Sequence, residues 1–231
     1  MPNIHAVVLD IEGTITPISF VRDVLFPFAR THLANFLEIN QEDPDVAREI
    51  ATIWQLAPGS DPVGVLMGWM DQDLKLPPLK TLQGMVWQAG YHHGLLRGQI
   101  YPDVAPCLRS WHADGIALYI YSSGSVAAQQ LLLGHSTDGD LRPLFSGFFD
   151  TNVGAKRDEA SYRAISAQIG INRGEGLFLS DVSAELDAAA AAGWRTAQIV
   201  RPNDGTVASA GHPNFGNFAA ARLEHLDFAG A

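Results

Sequence analysis

Two acidic residues, Asp10 and Glu12, lie two positions apart in the segment DIEGT, directly after the apolar run Ile4 to Leu9. Carboxylates held close together on a short loop can bind a cation. Different surroundings can also keep one ionised as a nucleophile while the other carries a proton as a general acid. An ordinary acidic turn after an edge strand has the same pattern, so this segment alone leaves both interpretations open.

Hydroxyl and ammonium groups recur further along the chain. Ser122 and Ser123 follow the apolar run Ile116 to Tyr121 and precede a predicted helix, where free backbone N–H groups can hold an anion. Lys156 lies in a loop ahead of another predicted helix and could neutralise a phosphoryl oxygen. Helix capping by the serines and solvation of the lysine are the alternatives for each feature taken singly.

A second acidic pair follows a third apolar run. Asp181 comes just after Leu177 to Leu179, and Glu185 lies about one helical turn later. Capping of the next helix is again an alternative. However, the carboxyl ends of parallel strands meet at one edge of a sheet, so these distant groups can converge there. The set as a whole favours a functional site over chance placement.

The elements around these residues predict an α/β fold. The three apolar runs and a fourth at Thr196 to Val200 predict a Rossmann-like parallel sheet with helices on both faces. Between Thr16 and about Gln99 the sequence has long helical patterns and no clear strand, which predicts an inserted all-helical cap. We expect a discontinuous core of residues 1–16 and 100–231 and a helical cap of residues 17–99.

Two local predictions concern the core. Asp103 is a plausible N-cap for the helix that follows the insertion. The Gly-, Asn- and Ala-rich sequence after Arg201-Pro202 predicts a loosely structured tail.

Composition excludes several classes of protein. The 231 residues are 47% hydrophobic and carry a formal charge of −10, which suits a packed enzyme and opposes binding to nucleic acid. The single cysteine forms no internal disulfide, and the first residues lack a secretory signal, so we expect a cytoplasmic protein. No apolar run approaches the roughly 20 residues of a membrane span, and we expect a monomer.

The four groups of polar residues resemble the motifs of the haloacid dehalogenase-like hydrolase superfamily. The matches are Asp10-x-Glu12-x-Thr14, Ser122, Lys156 and Asp181-x-x-x-Glu185. The resemblance implies that the Asp10 carboxylate is the nucleophile, and the second acid points to phosphoryl transfer rather than dehalogenation. Most phosphatases of the superfamily have Asp where this chain has Glu12, which implies a reshaped acid/base position.

A closer resemblance is to the enolase-phosphatase family, the acireductone synthases. Ile15 departs from it, since the family usually has Thr there. The segments that carry the resemblance are DIEGTITPISFVRDVLFPFA (10–29), LKTLQGMVWQAGY (79–91), YIYSSGSVAAQ (119–129), FFDTNVGAKRDEASY (148–162) and LFLSDVSAELDAAAAAGW (177–194).

This resemblance implies a phosphoric monoester hydrolase that acts on a small phosphorylated metabolite. The substrate would be 2,3-diketo-5-methylthiopentyl-1-phosphate, which is enolised and dephosphorylated to acireductone in methionine salvage. Met and Trp side chains of the cap could contact the methylthio group, although their helical spacing is more typical of cap core.

The same resemblance assigns roles to the site residues. It implies Mg²⁺ bound by Asp10, Asp181 and the backbone carbonyl of Glu12, with Glu185 orienting that shell from outside. Glu12 would act as acid and base. The groups expected to hold the phosphoryl oxygens are Ser122, Ser123 and Lys156.

Two alternatives share parts of this pattern. A generic small-molecule phosphatase of the same superfamily would keep the core motifs with another cap specificity. A phospho-accepting receiver-like signalling module also groups acids, a hydroxyl and a lysine around Mg²⁺. Such modules are about half this length, and their motifs occur in another order.

Overall fold

The computed structural model of this chain describes residues 4–221, which divide into two compact units. The core unit includes the described residues up to Ser19 and those from Gly98 onwards. The helical unit runs from Phe20 to Arg97.

Helices and strands alternate through most of the core unit, whereas the helical unit, from Phe20 to Arg97, contributes helices and no strand. The helices are α1 (Ile18–Phe20), α2 (Phe26–Ile39), α3 (Pro44–Leu56), α4 (Pro62–Asp71), α5 (Pro77–His92), α6 (Val104–Ala113), α7 (Val126–Gly134), α8 (Glu159–Ile169) and α9 (Ser183–Ala191). The strands are β1 (Ala6–Leu9), β2 (Ala117–Tyr121), β3 (Phe145–Phe149), β4 (Gly176–Ser180), β5 (Arg195–Ile199) and β6 (Asn214–Phe215). A π-helical turn, Val21–Leu25, connects α1 to α2.

The strands that the structure describes form one parallel sheet in the order β3-β2-β1-β4-β5-β6. All residues of β1 and β4 are buried. Since successive side chains of a strand point to opposite faces, burial along the whole strand means that both faces of the sheet centre are covered. The predicted α/β fold with a parallel sheet is therefore confirmed.

Aromatic side chains dominate the packing beneath the central strands. Tyr162 of α8 packs edge-to-face on Phe178 of β4, with ring centroids 5.1 Å apart, and on Tyr121 of β2 at 5.6 Å. Trp194 closes the same cluster, and its indole N–H donates to the Tyr162 carbonyl at 3.2 Å. Each edge-to-face pair adds about 0.5–1.5 kcal/mol to the area that it buries. This cluster holds α8 against β2 and β4.

The helical unit has its own apolar core, to which α2, α3, α4 and α5 contribute. Asp43 and Asp61 cap α3 and α4, since each carboxylate accepts hydrogen bonds from first-turn N–H groups. Pro77 and Pro78 begin α5, where a missing N–H costs nothing. The Met and Trp side chains considered for substrate contact pack against this core. They are Met67, Trp69, Met70 and Trp87.

Two of the strands that the structure describes were not predicted from the sequence. β3 has the sequence FSGFF, in which a glycine and a serine interrupt the apolar run, and its residues are only partly buried. β6 has two residues, too few for any periodicity. It lies in the segment that was expected to be loosely structured, and it pairs with β5. That expectation was wrong for residues 202–221, because Phe218 and Ala221 are buried. The rest of the tail lies outside the described residues.

Asp103 occupies the N-cap position of α6, but its side chain does not cap the helix. Both of its carboxylate oxygens accept hydrogen bonds from Arg201 at 2.9 Å, and one also accepts from the Phe218 N–H at 2.8 Å. The capping prediction was wrong because a buried guanidinium, distant in sequence, binds this carboxylate more strongly than helix N–H groups would. Within residues 4–221, no helix has the length and apolar character needed to span a bilayer.

Candidate active site

Asp10 lies at the carboxyl end of β1, in the middle of the sheet. Leu9 pairs with Ile120 of β2 on one side and with Leu179 of β4 on the other. The residues just past these strand ends are therefore neighbours in space. The buried Asp10 carboxylate accepts a hydrogen bond from the Ile11 N–H at 2.7 Å. A backbone donor of this kind fixes the orientation of the carboxylate.

Lys156 bridges two of the predicted acidic residues. Its Nζ lies 2.5 Å from Asp10 Oδ1 and 2.6 Å from Glu185 Oε2, and all three side chains are largely buried. Burial disfavours the ammonium ion, but the Asp10 and Glu185 carboxylates outweigh it and raise the pKa of Lys156. The lysine therefore stays charged beside the nucleophile candidate.

Hydroxyl groups hold the loop that carries Lys156. The Tyr121 hydroxyl donates to the Gly154 carbonyl at 2.9 Å, and the Tyr162 hydroxyl donates to the Lys156 carbonyl at 2.7 Å. Ser161 donates to the Ala155 carbonyl at 2.8 Å. Three successive carbonyls of the loop are thus fixed by side chains of β2 and α8, which leaves Lys156 little freedom to move away from Asp10.

Ser180, the last residue of β4, was missed as a site residue. Its hydroxyl lies 3.0 Å from Glu185 Oε2 and 3.4 Å from Asp10 Oδ2, and it accepts a hydrogen bond from the Val182 N–H at 3.1 Å. It connects the two carboxylates that Lys156 bridges. The available signal was a hydroxyl residue at the end of a buried apolar strand, next to Asp181.

Asp181 is partly buried, and one of its carboxylate oxygens, Oδ1, has no hydrogen-bond partner among the described residues. Burial and the nearby Asp10 carboxylate raise the pKa of Asp181 to about 7. Asp10 and Glu185 contact the Lys156 ammonium, Asp181 interacts with it electrostatically, and the excess of negative charge suits a cation.

Gly13 makes room for this carboxylate. Its φ of +71° lies in the left-handed region, and a Cβ at this position would come within 2.5 Å of Asp181 Oδ2. Only glycine satisfies both conditions. The glycine in the DIEGT segment therefore has a steric reason that involves a residue on another strand.

The serine-rich loop after β2 serves two purposes. Ser122 is buried, and its hydroxyl accepts from the Gly124 N–H at 3.2 Å, while Ser123 is exposed. Ser125 is the residue that caps α7, with its hydroxyl accepting from the Ala128 N–H. The capping interpretation therefore applies to Ser125, and Ser122 and Ser123 stay candidates for anion binding beside the end of β1.

Glu12 is exposed in the turn that follows Asp10. The turn is closed by hydrogen bonds between backbone groups, including Gly13 N–H to the Thr16 carbonyl at 2.9 Å. Glu12 therefore lies at the accessible side of the Asp10 loop. Direct contacts join Asp10, Lys156, Ser180 and Glu185, and electrostatic interaction adds Asp181 to this group.

Comparison with known proteins identifies the arrangement. The family described as "Hydrolase: haloacid dehalogenase-like hydrolase" matches residues 4–193, which include every predicted site residue. The chain belongs to this family. Membership of this family is consistent with the parallel sheet and with the acidic, hydroxyl and lysine side chains at its strand ends.

Relatives within the haloacid dehalogenase-like hydrolases are similar along most of their length. Enolase-phosphatase E1 of Gluconacetobacter diazotrophicus is 55% identical over 91% of this chain and 89% of the relative. Enolase-phosphatase E1 of Acidiphilium cryptum is 54% identical over 93% of this chain and 92% of the relative. The resemblance to the enolase-phosphatases noted from the sequence is confirmed, and the chain is a phosphatase of this family.

A crystal structure of a similar protein supports the fold. The Unknown transcript 4 protein of Saccharomyces cerevisiae superposes with a TM-score of 0.79 and 34% sequence identity, covering 94% of this chain and 99% of that protein. The similarity extends over both units of the chain, so the helical insertion is shared with that protein.

Proposed function

We propose that this chain converts 2,3-diketo-5-methylthiopentyl-1-phosphate to acireductone and phosphate in methionine salvage. The names of its relatives, each similar over about nine tenths of both chains, supply the reaction. The observation that carries the proposal is the Asp10 carboxylate fixed at the centre of the sheet, with Lys156 at 2.5 Å and the unsatisfied Asp181 beside it.

In the first step of dephosphorylation, the Asp10 carboxylate attacks phosphorus. A bond forms between its oxygen and phosphorus, and the bond from phosphorus to the substrate oxygen breaks. Glu12 donates its proton to that leaving oxygen, which avoids a free alkoxide. Lys156, Ser122 and Ser123 bind the phosphoryl oxygens and orient the group for attack in line.

In the second step, water releases the phosphate. The Glu12 carboxylate, which has lost its proton, accepts one from water as the water attacks the phosphorus of the aspartyl phosphate. The bond from phosphorus to Asp10 then breaks, and the carboxylate is regenerated. The exposed position of Glu12 gives it access to both the leaving oxygen and the incoming water.

The site residues fit a Mg²⁺ ion. Mg²⁺ is usually held by one or two carboxylates and several waters, and Asp181 has a buried oxygen that needs a partner. No group of three or more His, Cys, Asp or Glu side chains in residues 4–221 is arranged to bind a metal. The resemblance to the enolase-phosphatases implies that Asp10, Asp181 and the Glu12 carbonyl would hold the ion together with water. When bound, it supplies positive charge that offsets the charge of the phosphoryl group.

The deciding experiment supplies the diketone phosphate to the purified protein with either Mg²⁺ or EDTA. Phosphate release and enediol absorbance are followed together. We expect both to appear with Mg²⁺ and neither with EDTA. Phosphate without enediol would show a phosphatase of other specificity, and a single phosphorylation of the protein without turnover would indicate a receiver-like module.

We further propose that the enzyme acts in the cytoplasm as a monomer on this small metabolite. The single cysteine and the net charge of −10 support a reducing compartment and a soluble chain without nucleic-acid partners. Light scattering coupled to size exclusion tests the oligomeric state, and a mass of two chains would contradict the monomer.

A further inference from the structure

Gln198 is a buried glutamine in β5 that contacts the backbone around Asp181. Its side-chain Nε2 donates to the Asp181 carbonyl at 2.8 Å and to the Val207 carbonyl at 3.0 Å. Its Oε1 accepts from the Ser209 N–H at 2.7 Å. The residue is 2% exposed, so water does not compete for these groups.

The partners determine the orientation of this amide. A backbone carbonyl can only accept a hydrogen bond and a backbone N–H can only donate one. Reversal of the Gln198 amide would therefore bring oxygen against two carbonyls and nitrogen against an N–H. The three contacts fit one orientation, which makes the amide a rigid connection between Asp181 and residues 207–209.

β4 ends at Ser180, so Asp181 is the first residue outside the strand and needs another group to hold it. Its carbonyl is fixed by Gln198, while its carboxylate lies against Gly13 and has an oxygen without a hydrogen-bond partner. A fixed carbonyl holds the backbone and with it the direction of the Asp181 Cα–Cβ bond, while the nearby Gly13 leaves limited room for the carboxylate beyond that bond. A metal ligand that is already oriented binds its ion more tightly, since less freedom is lost on binding.

We propose that Gln198 is a positioning residue that holds Asp181 in the orientation needed to bind Mg²⁺. The inference rests on the proposed function, since it takes Asp181 as a ligand of that ion. Gln198 itself touches neither substrate nor ion. It sets the affinity for Mg²⁺ through the backbone of Asp181 and leaves the reaction steps unchanged.

The main test replaces the amide with an apolar side chain of similar length, Gln198→Met. Mg²⁺ affinity is measured without substrate, from the MgCl₂ concentration that gives half of the maximal rise in Tm. We expect this concentration to increase about 10- to 100-fold, the usual effect of losing a group that orients a metal ligand. The MgCl₂ concentration for half-maximal activity should increase in parallel, and excess MgCl₂ should restore kcat.

Gln198→Asn keeps an amide but shortens the side chain by one methylene group. It should fold even if the Met variant does not, because it can still satisfy some of the three partners. We expect an intermediate loss of Mg²⁺ affinity. If Gln198→Asn folds and binds Mg²⁺ as the wild type does, the inference is wrong.

Gln129 provides a matched control in the same unit. It is 1% exposed, and its Nε2 also donates to two carbonyls, those of Gly124 at 2.8 Å and Phe149 at 2.9 Å. Gln129→Met should cost somewhat less stability than Gln198→Met, since its Oε1 has no hydrogen-bond partner among the described residues. It should leave Mg²⁺ affinity unchanged, because its partners are carbonyls of the Ser122 loop and of the end of β3 and not of Asp181. An equal loss of Mg²⁺ affinity in both variants would mean that Gln198 is merely structural.

The wild type separates the two hypotheses. If MgCl₂ does not raise its Tm and EDTA does not inhibit phosphate release, the proposed magnesium-dependent function fails. If the wild type responds to MgCl₂ and the Gln198 variants respond identically, only the positioning role fails.

Discussion

At the scale of single residues, the Asp10 carboxylate is the proposed nucleophile. Asp10→Asn replaces it with an amide, a poor nucleophile of nearly the same shape. We expect phosphate release and formation of a hydroxylamine-labile phosphoprotein both to fall below detection. Rapid quench with labelled substrate measures the phosphoprotein, and circular dichroism checks the fold. Wild-type turnover in this variant would refute the assignment of Asp10.

Lys156 should affect both stability and phosphate binding. Lys156→Ala leaves Asp10 and Glu185 buried without the ammonium that lies between them, which should lower the free energy of unfolding by about 3 kcal/mol. KM should increase and kcat should decrease. Urea unfolding and steady-state kinetics measure these effects.

The control for Lys156 is Arg142→Ala, which breaks an exposed ion pair with Asp140 in the same unit. An exposed pair of this kind contributes at most about 1 kcal/mol. Equal stability losses in the two variants, with unchanged kinetics for Lys156→Ala, would remove Lys156 from the site.

Gly13 should be required both for its backbone conformation and for the space that it leaves for the Asp181 carboxylate. Gly13→Ala adds a Cβ within 2.5 Å of Asp181 Oδ2, in addition to the strain of a positive φ. Gly205→Ala is the matched control, because its φ is +80° and no atom lies within 4 Å of its Cβ. Left-handed strain alone costs about 1–2 kcal/mol.

We expect both alanine variants to lose that stability, measured by urea unfolding. Only Gly13→Ala should also weaken Mg²⁺-dependent activity, measured as the MgCl₂ concentration for half-maximal rate. A normal Mg²⁺ response in Gly13→Ala would show that Asp181 can move aside without consequence.

At the scale of elements, one arginine joins several segments that the sheet alone does not connect. Arg201, just after β5, donates to both oxygens of Asp103 ahead of α6 and to the Thr14 carbonyl after β1 at 3.1 Å. Its guanidinium also stacks 4.0 Å from the centroid of the Tyr101 ring. Arg201 therefore stabilises the turn that follows the nucleophile.

A double-mutant cycle of Arg201→Met and Asp103→Asn tests this connection. Arg201→Met leaves the Asp103 carboxylate without its guanidinium partner, so we expect a loss of about 3 kcal/mol in urea unfolding. The double variant should lose less than the sum of the two single variants, since both remove the same interaction. Strict additivity would show that the two residues act independently.

The sequence predicted the elements whose pattern is strong and local. Four of the strands were found because buried parallel strands are continuous apolar runs, and the polar residues at their ends identified the candidate site. β3 and β6 gave too weak a pattern. The pairing of Asp103 with Arg201 depends on a contact between positions 98 residues apart, which no local pattern records.

The site could be predicted only in part for the same reason. Asp10, Lys156, Asp181 and Glu185 were identified by residue type and by the ends of the elements. Ser180 and Gln198 were not, because a serine or a glutamine in a strand is common. Their importance follows from hydrogen bonds to particular groups on other elements, which only the fold shows.

At the scale of the whole molecule, bound Mg²⁺ should stabilise the folded chain. A ligand at about 100 times its dissociation constant contributes about 2.7 kcal/mol, which for a chain of this size raises Tm by roughly 5 to 10 °C. Differential scanning fluorimetry without substrate measures the shift. NaCl at equal ionic strength should have little effect, and Asp181→Asn should reduce the shift. A shift of equal size in Asp181→Asn would place the ion elsewhere.

The position of β1 also has a consequence for how the protein is made. Asp10 and Ser180, which meet in the site, are 170 positions apart. A ribosome adding 5 to 20 residues per second needs roughly 10 to 30 s to traverse that distance. During this interval the nascent chain exposes an apolar β1 edge without its β4 neighbour, a state prone to misassociation. Chaperone binding to stalled nascent chains should therefore be strongest before residues 176–180 emerge.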